Sequence, residues 1–322
     1  MVNSVMKQMI QGTLPNTILM LFAVSIVLSG CSTTSTVPDQ KNYSENFSDI
    51  DDFYDGQSGL VYSNKESPET AKEIIAAGDA ALAQGKLDEA LYQYVKAVDL
   101  DNSSDTALYK IGDIHAERGN TEKAKKAYEM VFEINPDNAG AHEGLGQLLL
   151  GQRKYDEARY HLTTAEASGA VGSWRLYNSL GVMADLGNDY QQAIIYYDKA
   201  LDLQPELPLI LNNMGYSRYM LGDWDSAERY YKKAVVNDKY FERAWRNLGL
   251  LYVRQGNYED AVSAFTQVEN LPEAYNDIGF ICMLNGKHDI SEAFFKRAIK
   301  LAPRYYEAAN NNLQRNRMLS KK

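Results

Sequence analysis

The sequence predicts an all-α protein, a superhelical solenoid of about seven helix pairs closed by a capping helix. Three observations predict it. Between Leu211 and Pro303 one pattern is written three times, opening Leu211-Asn-Asn-Met-Gly-Tyr, Trp245-Arg-Asn-Leu-Gly-Leu and Tyr275-Asn-Asp-Ile-Gly-Phe, and each opening glycine is followed seven residues later by another. The same glycine recurs upstream, giving Gly78, Gly112, Gly146, Gly181, Gly215, Gly249 and Gly279 at spacings of 34, 34, 35, 34, 34 and 30. Self-similarity at this period is the mark of a repeat architecture. Each unit is one helix pair that cannot bury its apolar face alone, and seven units exceed the roughly three that mutual stacking requires.

Within a unit the pattern is a bulky residue, Leu-Gly, Gly, Ala, an aromatic, Ala and finally Pro. The fourth unit reads Tyr177, Leu180, Gly181, Ala193, Tyr197, Ala200 and Pro205; the second offers Ile111, Gly112, Gly119, Ala124, Tyr128 and Pro136. These residues resemble the tetratricopeptide repeat. The small Gly181 and Ala193 let two helices approach closely, and Tyr197 fills the gap left beside them.

At 322 residues the length suggests about two domains, but a solenoid escapes that count and one extended array over residues 69–313 is expected. Ahead of it, residues 1–30 have the form of a targeting signal. Lys7 supplies positive charge, Ile18 to Leu28 is an apolar run interrupted by Ser25, and Leu28-Ser29-Gly30-Cys31 follows; the run is too short for a spanning helix. This segment resembles a bacterial lipoprotein signal with its lipobox. The resemblance implies cleavage before Cys31 and acylation of that residue, and Ser32 in place of Asp favours the outer membrane, with the protein facing the periplasm. Several acyl chains, each contributing about 0.8 kcal/mol per buried methylene, make a stable anchor.

Residues 31–68 lose the helical period and carry an acidic cluster at Asp49, Asp51, Asp52 and Asp55, which reads as a flexible tether about 35 Å in average reach. Its aromatics, Tyr43, Phe47, Phe53, Tyr54 and Tyr62, leave open a docking motif that orders on a partner or on the array itself. The first helix is expected to start near Ser67 as N-cap with Pro68 at its first position. The join from Ser168 to Ser173 holds an extra residue and two glycines, and admits either a hinge or a longer turn. Between Gly249 and Gly279 four residues are missing, close to one helical turn, so the second helix of the sixth repeat is expected to be one turn short with its apolar phase kept. After Pro303, Tyr305 to Leu313 reads as the solvating cap, and residues 314–322 as a basic C-terminal tail.

The net charge of −10 argues against a nucleic-acid partner, because no basic surplus is available to neutralise phosphates. The two cysteines leave no internal disulfide framework once Cys31 carries lipid, and Cys282 reads as a small buried residue. The four histidines, His115, His142, His161 and His288, are assigned to different repeats with no i,i+4 partner, so no metal or other cofactor is expected. No phosphate loop or nucleophile motif occurs, and nine residues after Leu313 suggest no enzymatic domain.

Binding is therefore expected on the concave surface. In the tetratricopeptide family, repeat positions two, five, six, nine, twelve and thirteen face that groove. The resemblance places there Arg175 and Asn178; Asn212, Asn213, Tyr216 and Tyr219; Arg243, Arg246, Asn247 and Arg254; and Asn276, Asp277, Phe280 and Met283. Asparagine is a poor helix former, so its recurrence argues for hydrogen bonding, and its paired donor and acceptor suit an extended peptide backbone. Arginine adds carboxylate recognition and the aromatics add apolar pockets. A lysine-rich carboxylate clamp is not present, since the fifth position holds Asn178, Asn212, Arg246 or Asn276. Arg218 stands where an apolar residue is usual and should pair with an acid or reach outward.

The lipobox, the tether and the run from Trp174-Arg-Leu-Tyr-Asn-Ser-Leu-Gly-Val to Leu211-Asn-Asn-Met-Gly-Tyr-Ser together resemble the TadD-type lipoproteins of tight-adherence (Flp) pilus assembly. That resemblance implies a periplasmic scaffold at the outer membrane with secretin or pilus-assembly components as partners. A type IV pilus pilotin and an adaptor for peptidoglycan enzymes are the alternative readings.

Overall fold

The computed structural model describes residues 53–54, 70–169 and 173–321. Among them are fifteen α-helices and no strand. In chain order they are α1 (Ala71–Ala83), α2 (Leu87–Leu100), α3 (Asp105–Glu117), α4 (Thr121–Ile134), α5 (Ala139–Gly151), α6 (Tyr155–Ala167), α7 (Trp174–Leu186), α8 (Tyr190–Leu203), α9 (Pro208–Met220), α10 (Trp224–Asn237), α11 (Glu242–Gln255), α12 (Tyr258–Phe265), α13 (Leu271–Leu284), α14 (His288–Leu301) and α15 (Glu307–Leu319). They form seven hairpins and a final helix, as the repeat period predicts. The chain divides into two compact units, the first ending at Leu180 and the second running from Gly181.

One device closes nearly every hairpin. The conserved step of sixteen residues between the first-helix glycine and the second-helix aromatic brings the ring onto bare backbone. A Cβ on Gly112 would lie 2.5 Å from Tyr128 Cε1, and one on Gly249 2.6 Å from Phe265 Cε2. No real side chain tolerates that approach, so only glycine permits the ring to seat. Three of the four tyrosines have an aspartate partner for their hydroxyl: Tyr94 donates to Asp79 at 2.6 Å, Tyr128 to Asp113 at 2.8 Å and Tyr197 to Asp185 at 2.7 Å. The turn seven residues later needs a left-handed residue. Gly222 and Gly256 supply it at φ 81, and where the glycine is lacking Arg153 and Asn188 still adopt φ 63 and 60. The hairpin geometry therefore overrides the residue's own preference.

Several expectations meet the structure directly. Helix α12 is eight residues long against thirteen or fourteen in every other helix, as the shortened spacing implies. Cys282 is fully buried, and burial pushes its thiol up to about 11. Arg218 pairs with Asp223 at 3.5 Å. Others need correction. The first helix starts at Ala71, capped by Thr70 in a reciprocal box with Glu73 rather than by Ser67, which lies outside the described residues. Helix α15 runs to Leu319, so most of the expected C-terminal tail is helical, held by Asn316 to the carbonyl of His288 at 2.9 Å and by Arg317 to Glu292 at 2.8 Å. His142 and His161 belong to one hairpin, not to different repeats, and their Nδ1 atoms meet at 2.8 Å. The signal, the lipidation position Cys31 and the 170–172 part of the proposed hinge lie outside the described residues, as does the tether except for Phe53 and Tyr54.

Candidate functional site

In the first unit the first helices of successive hairpins build a cavity of about 560 Å³. Tyr109 and Asp113 enter it from α3, Glu143 and Gln147 from α5, and Ser173 and Arg175 from the start of α7. Two glycines make room for it. A Cβ on Gly140 would meet the Tyr109 ring at 2.7 Å, and one on Gly144 would meet Tyr128 Oη at 2.4 Å, so both rings lie against the α5 backbone. Ser173 Oγ donates to Glu143 Oε1 at 2.5 Å, and Gln147 Nε2 donates to the same oxygen at 3.0 Å. Burial pushes both carboxyls upward, Asp113 against the hydrogen bond from Tyr128 and Glu143 against that from Ser173. Burial, reinforced by the nearby Asp113, likewise raises the Tyr109 and Tyr128 hydroxyls. Arg175 is exposed and its guanidinium lies 4.8 Å from the Trp174 ring centroid.

This chemistry suits a cation or an amide donor. Two carboxylates raised by burial gain most from an entering positive charge, which would restore their ionised form. The sequence reading included Arg175 but missed Tyr109, Asp113, Glu143 and Gln147. The signal was available: Tyr109 and Glu143 stand three residues before Gly112 and Gly146, the offset that selects Asn178, Asn212, Arg246 and Asn276 in later repeats. Asn178 is half-buried on the same helix as Arg175.

In the second unit many of the expected groove residues turn to each other. Asn247 Nδ2 donates to Asn212 Oδ1 at 2.8 Å, and Asn312 Nδ2 donates to Asn276 Oδ1 at 3.0 Å. Asn212 and Asn276 are buried, so these amides stitch successive first helices rather than waiting for a ligand. Asn213, half-buried beside them, meets the Asn212 amide at 3.5 Å. Arg246 Nη1 donates to Glu269 Oε2 at 3.0 Å. Phe280 and Met283 are core side chains, at 6% and 2% exposure, and do not present a surface; α13 is apolar nearly all round because it packs on α11, α14 and α15. Arg254 lies over the Tyr219 and Trp224 rings at 5.8 and 5.7 Å, while Tyr216 packs edge-on against Tyr190. Arg243 and Arg254 are exposed. Asp277, held up to about 6 by burial, receives the Asn276 amide at 3.2 Å.

A broader depression of about 710 Å³ lies among second-helix residues of the same unit, including Glu228, Arg229, Lys232 and Lys233. It is open and its charges pair locally, with Lys232 at 2.7 Å from Glu228. Exposed pairs of this kind contribute little, and the first-helix cavity, with its buried carboxyls, is the better site.

Sequence patterns described as tetratricopeptide repeat match residues 109–171, 143–208, 212–277 and 272–305, and a TPR repeat pattern matches 78–119. The chain belongs to the tetratricopeptide-repeat family. It is 26% identical over 223 residues to the TPR repeat-containing protein MJ1428 of Methanocaldococcus jannaschii, covering 64% of this chain and 39% of that protein. Among solved structures it is similar to PilW, described as a widely conserved type IV pilus biogenesis factor, with a TM-score of 0.52 and 16% identity over 62% of this chain and 91% of that one. It is also similar to the APC/C hetero-tetramer Cut9-Hcn1, with a TM-score of 0.52 and 17% identity over 79% of this chain and 50% of that one. The family match and these likenesses establish an all-α tetratricopeptide-repeat solenoid fold.

Proposed function

We propose that this chain is a lipid-anchored adaptor at the outer membrane, facing the periplasm, that binds a protein segment on the face built by the first helices of its repeats. The observation that carries the binding half is the 560 Å³ cavity whose walls hold Asp113, Glu143, Gln147 and Arg175. A lysine or arginine of an extended partner segment fits it: the carboxylates take the charge, and Gln147 and the tyrosine hydroxyls serve backbone amides. The membrane half rests on the lipobox ending at Cys31, and the finer role, assembly of a tight-adherence pilus or its secretin, on the resemblance of the Trp174 to Ser217 run. A type IV pilotin-like role is the second reading, favoured by the repeat fold shared with PilW.

The test is a pull-down from solubilised outer membranes with the native chain and a Glu143→Gln/Arg175→Ala variant, after circular dichroism has matched their helicity. A secretin or pilus-assembly component identified on the native chain and at least tenfold depleted on the variant supports the reading. Equal recovery of that component on both chains removes the cavity from it.

A further inference from the structure

Phe53 stands 22 residues after Cys31 and 17 before Thr70, in the stretch that reads as tether, yet it is only 1% exposed. It is seated on the edge of the second hairpin. His115, near the end of α3, is fully buried, and its Nε2 meets the Phe53 carbonyl oxygen at 2.8 Å. A carbonyl only accepts, so Nε2 carries the proton; Nδ1 is then an acceptor, and the Asn120 amide approaches it at 3.4 Å. The two contacts fix one tautomer. Without the Phe53 carbonyl, a buried N–H would lose its partner, a costly state. The Phe53 ring lies 5.9 Å from the His115 ring, Lys126 Nζ lies 5.6 Å from its centroid, and Tyr54 meets Tyr92 edge-on at 5.7 Å.

We propose that the edge of the second hairpin is a docking site for an aromatic residue in an acidic peptide, and that the chain's own Phe53–Tyr54 step occupies it in cis. Three features define the peptide chemistry. The ring enters beside His115 and under an ammonium group, an arrangement that favours an aromatic face. The backbone carbonyl is read by a buried imidazole, which fixes the segment's direction. Asp51, Asp52 and Asp55 flank the step in sequence, and α4 offers Lys123, Lys125 and Lys126. The site lies on α2, α3 and α4, and none of Tyr92, His115, Asn120 and Lys126 lines the first-helix cavity, so it stands or falls independently of the adaptor reading. Docking divides the expected tether, and a partner presenting the same chemistry would have to displace the strap to bind.

The test uses the whole chain in detergent. Four histidines give four Cε1–Hε1 correlations in a proton–carbon spectrum, few enough to assign by single substitutions. Phe53→Ala should shift the His115 signal and leave the His288 signal in place, while Phe53→Tyr should keep the native position. A fluorescein-labelled peptide of residues 48–58 should bind the Phe53→Ala chain at least tenfold more tightly than the native chain, whose own step competes at an effective concentration on the order of millimolar. The same peptide should return the His115 signal toward its native position. An identical His115 signal in the native and Phe53→Ala chains overturns docking, whatever the peptide does. A shifted signal with equal peptide binding by both chains overturns the site's use as a peptide receptor.

Discussion

Glu269 lies near the carboxyl groups of Asp277 and Glu273 and the guanidinium of Arg246. Burial, then the charge of Asp277, pushes it up to about 7, against the pull of Arg246, and burial holds Asp277 and Asp185 at about 6. The sign follows from where the proton sits. Between the unfolded carboxylate range and these raised values the folded chain holds protons that the unfolded chain has released, so stability is greatest at the acid end of the window and is lost as pH rises through about 6 to 7. The second unit should therefore melt at a higher temperature at pH 5 than at pH 8. Glu269→Gln keeps an acceptor for Arg246 but cannot titrate, and should remove part of that slope, on the order of 1–3 kcal/mol. Thermal melts of both chains across that range provide the check; an unchanged slope would show that Glu269 does not carry it. Little of this was legible in the sequence. Glu269 lies in the irregular stretch after the shortened helix, and only the folded chain shows Arg246, 23 residues earlier, opposite it. Arg218 was legible because one charged residue in an apolar column demands a partner, whereas the meeting of His142 with His161 depends on hairpin register.

At the scale of the element, local signals read well and long-range ones poorly. The eight-residue α12 follows from a spacing deficit, and the buried Cys282 follows from its column in the repeat. The start of α1 was misread because two capping signals stand close together in Ser67-Pro68 and Thr70-Ala-Lys-Glu73; the second wins by bonding both ways. Thr70 Oγ1 accepts from the Glu73 amide at 3.3 Å, and Glu73 Oε2 accepts from the Thr70 amide at 2.8 Å. The end of α15 was misread because the bonds that hold it, Asn316 to His288 and Arg317 to Glu292, reach back to the preceding helix. Thr70→Ala should cost about 1 kcal/mol. In a terminal helix of a repeat array that loss is felt locally. Amide exchange in α1 should quicken roughly fivefold, while exchange in α13 stays the same. Equal acceleration in both helices would mean that the array opens as one cooperative body.

At the scale of the molecule, the sequence divides between repeats that specify their own packing and an N-terminal segment that we propose is an address. The repeat fold was legible because the first-helix glycine recurs in all seven units and the aromatic opposite it in six, so a misreading in one unit is corrected by the others. The binding face was only half legible: the same column of the repeat that yields Tyr109 and Glu143 in one unit yields helix-to-helix amide bonds through Asn212 and Asn276 in the other. Column position fixes where a side chain lies, and its neighbours decide whether it is already satisfied. The membrane proposal can be separated from all of this. Among the described residues no helix is long and apolar enough to cross a membrane, so attachment in the proposal rests on Cys31. One acyl chain gives marginal binding and two or more give stable binding. Cys31→Ser should therefore move the chain from the membrane pellet to the soluble periplasmic fraction, with helicity by circular dichroism and the His115 ring signal unchanged. If the serine variant still sediments with membranes, and a carbonate wash fails to release it, the lipid anchor is not what holds the protein there. If a wash does release it, a bound partner is holding the array, and the Glu143→Gln/Arg175→Ala variant combined with Cys31→Ser shows whether the first-helix cavity is where that partner is gripped.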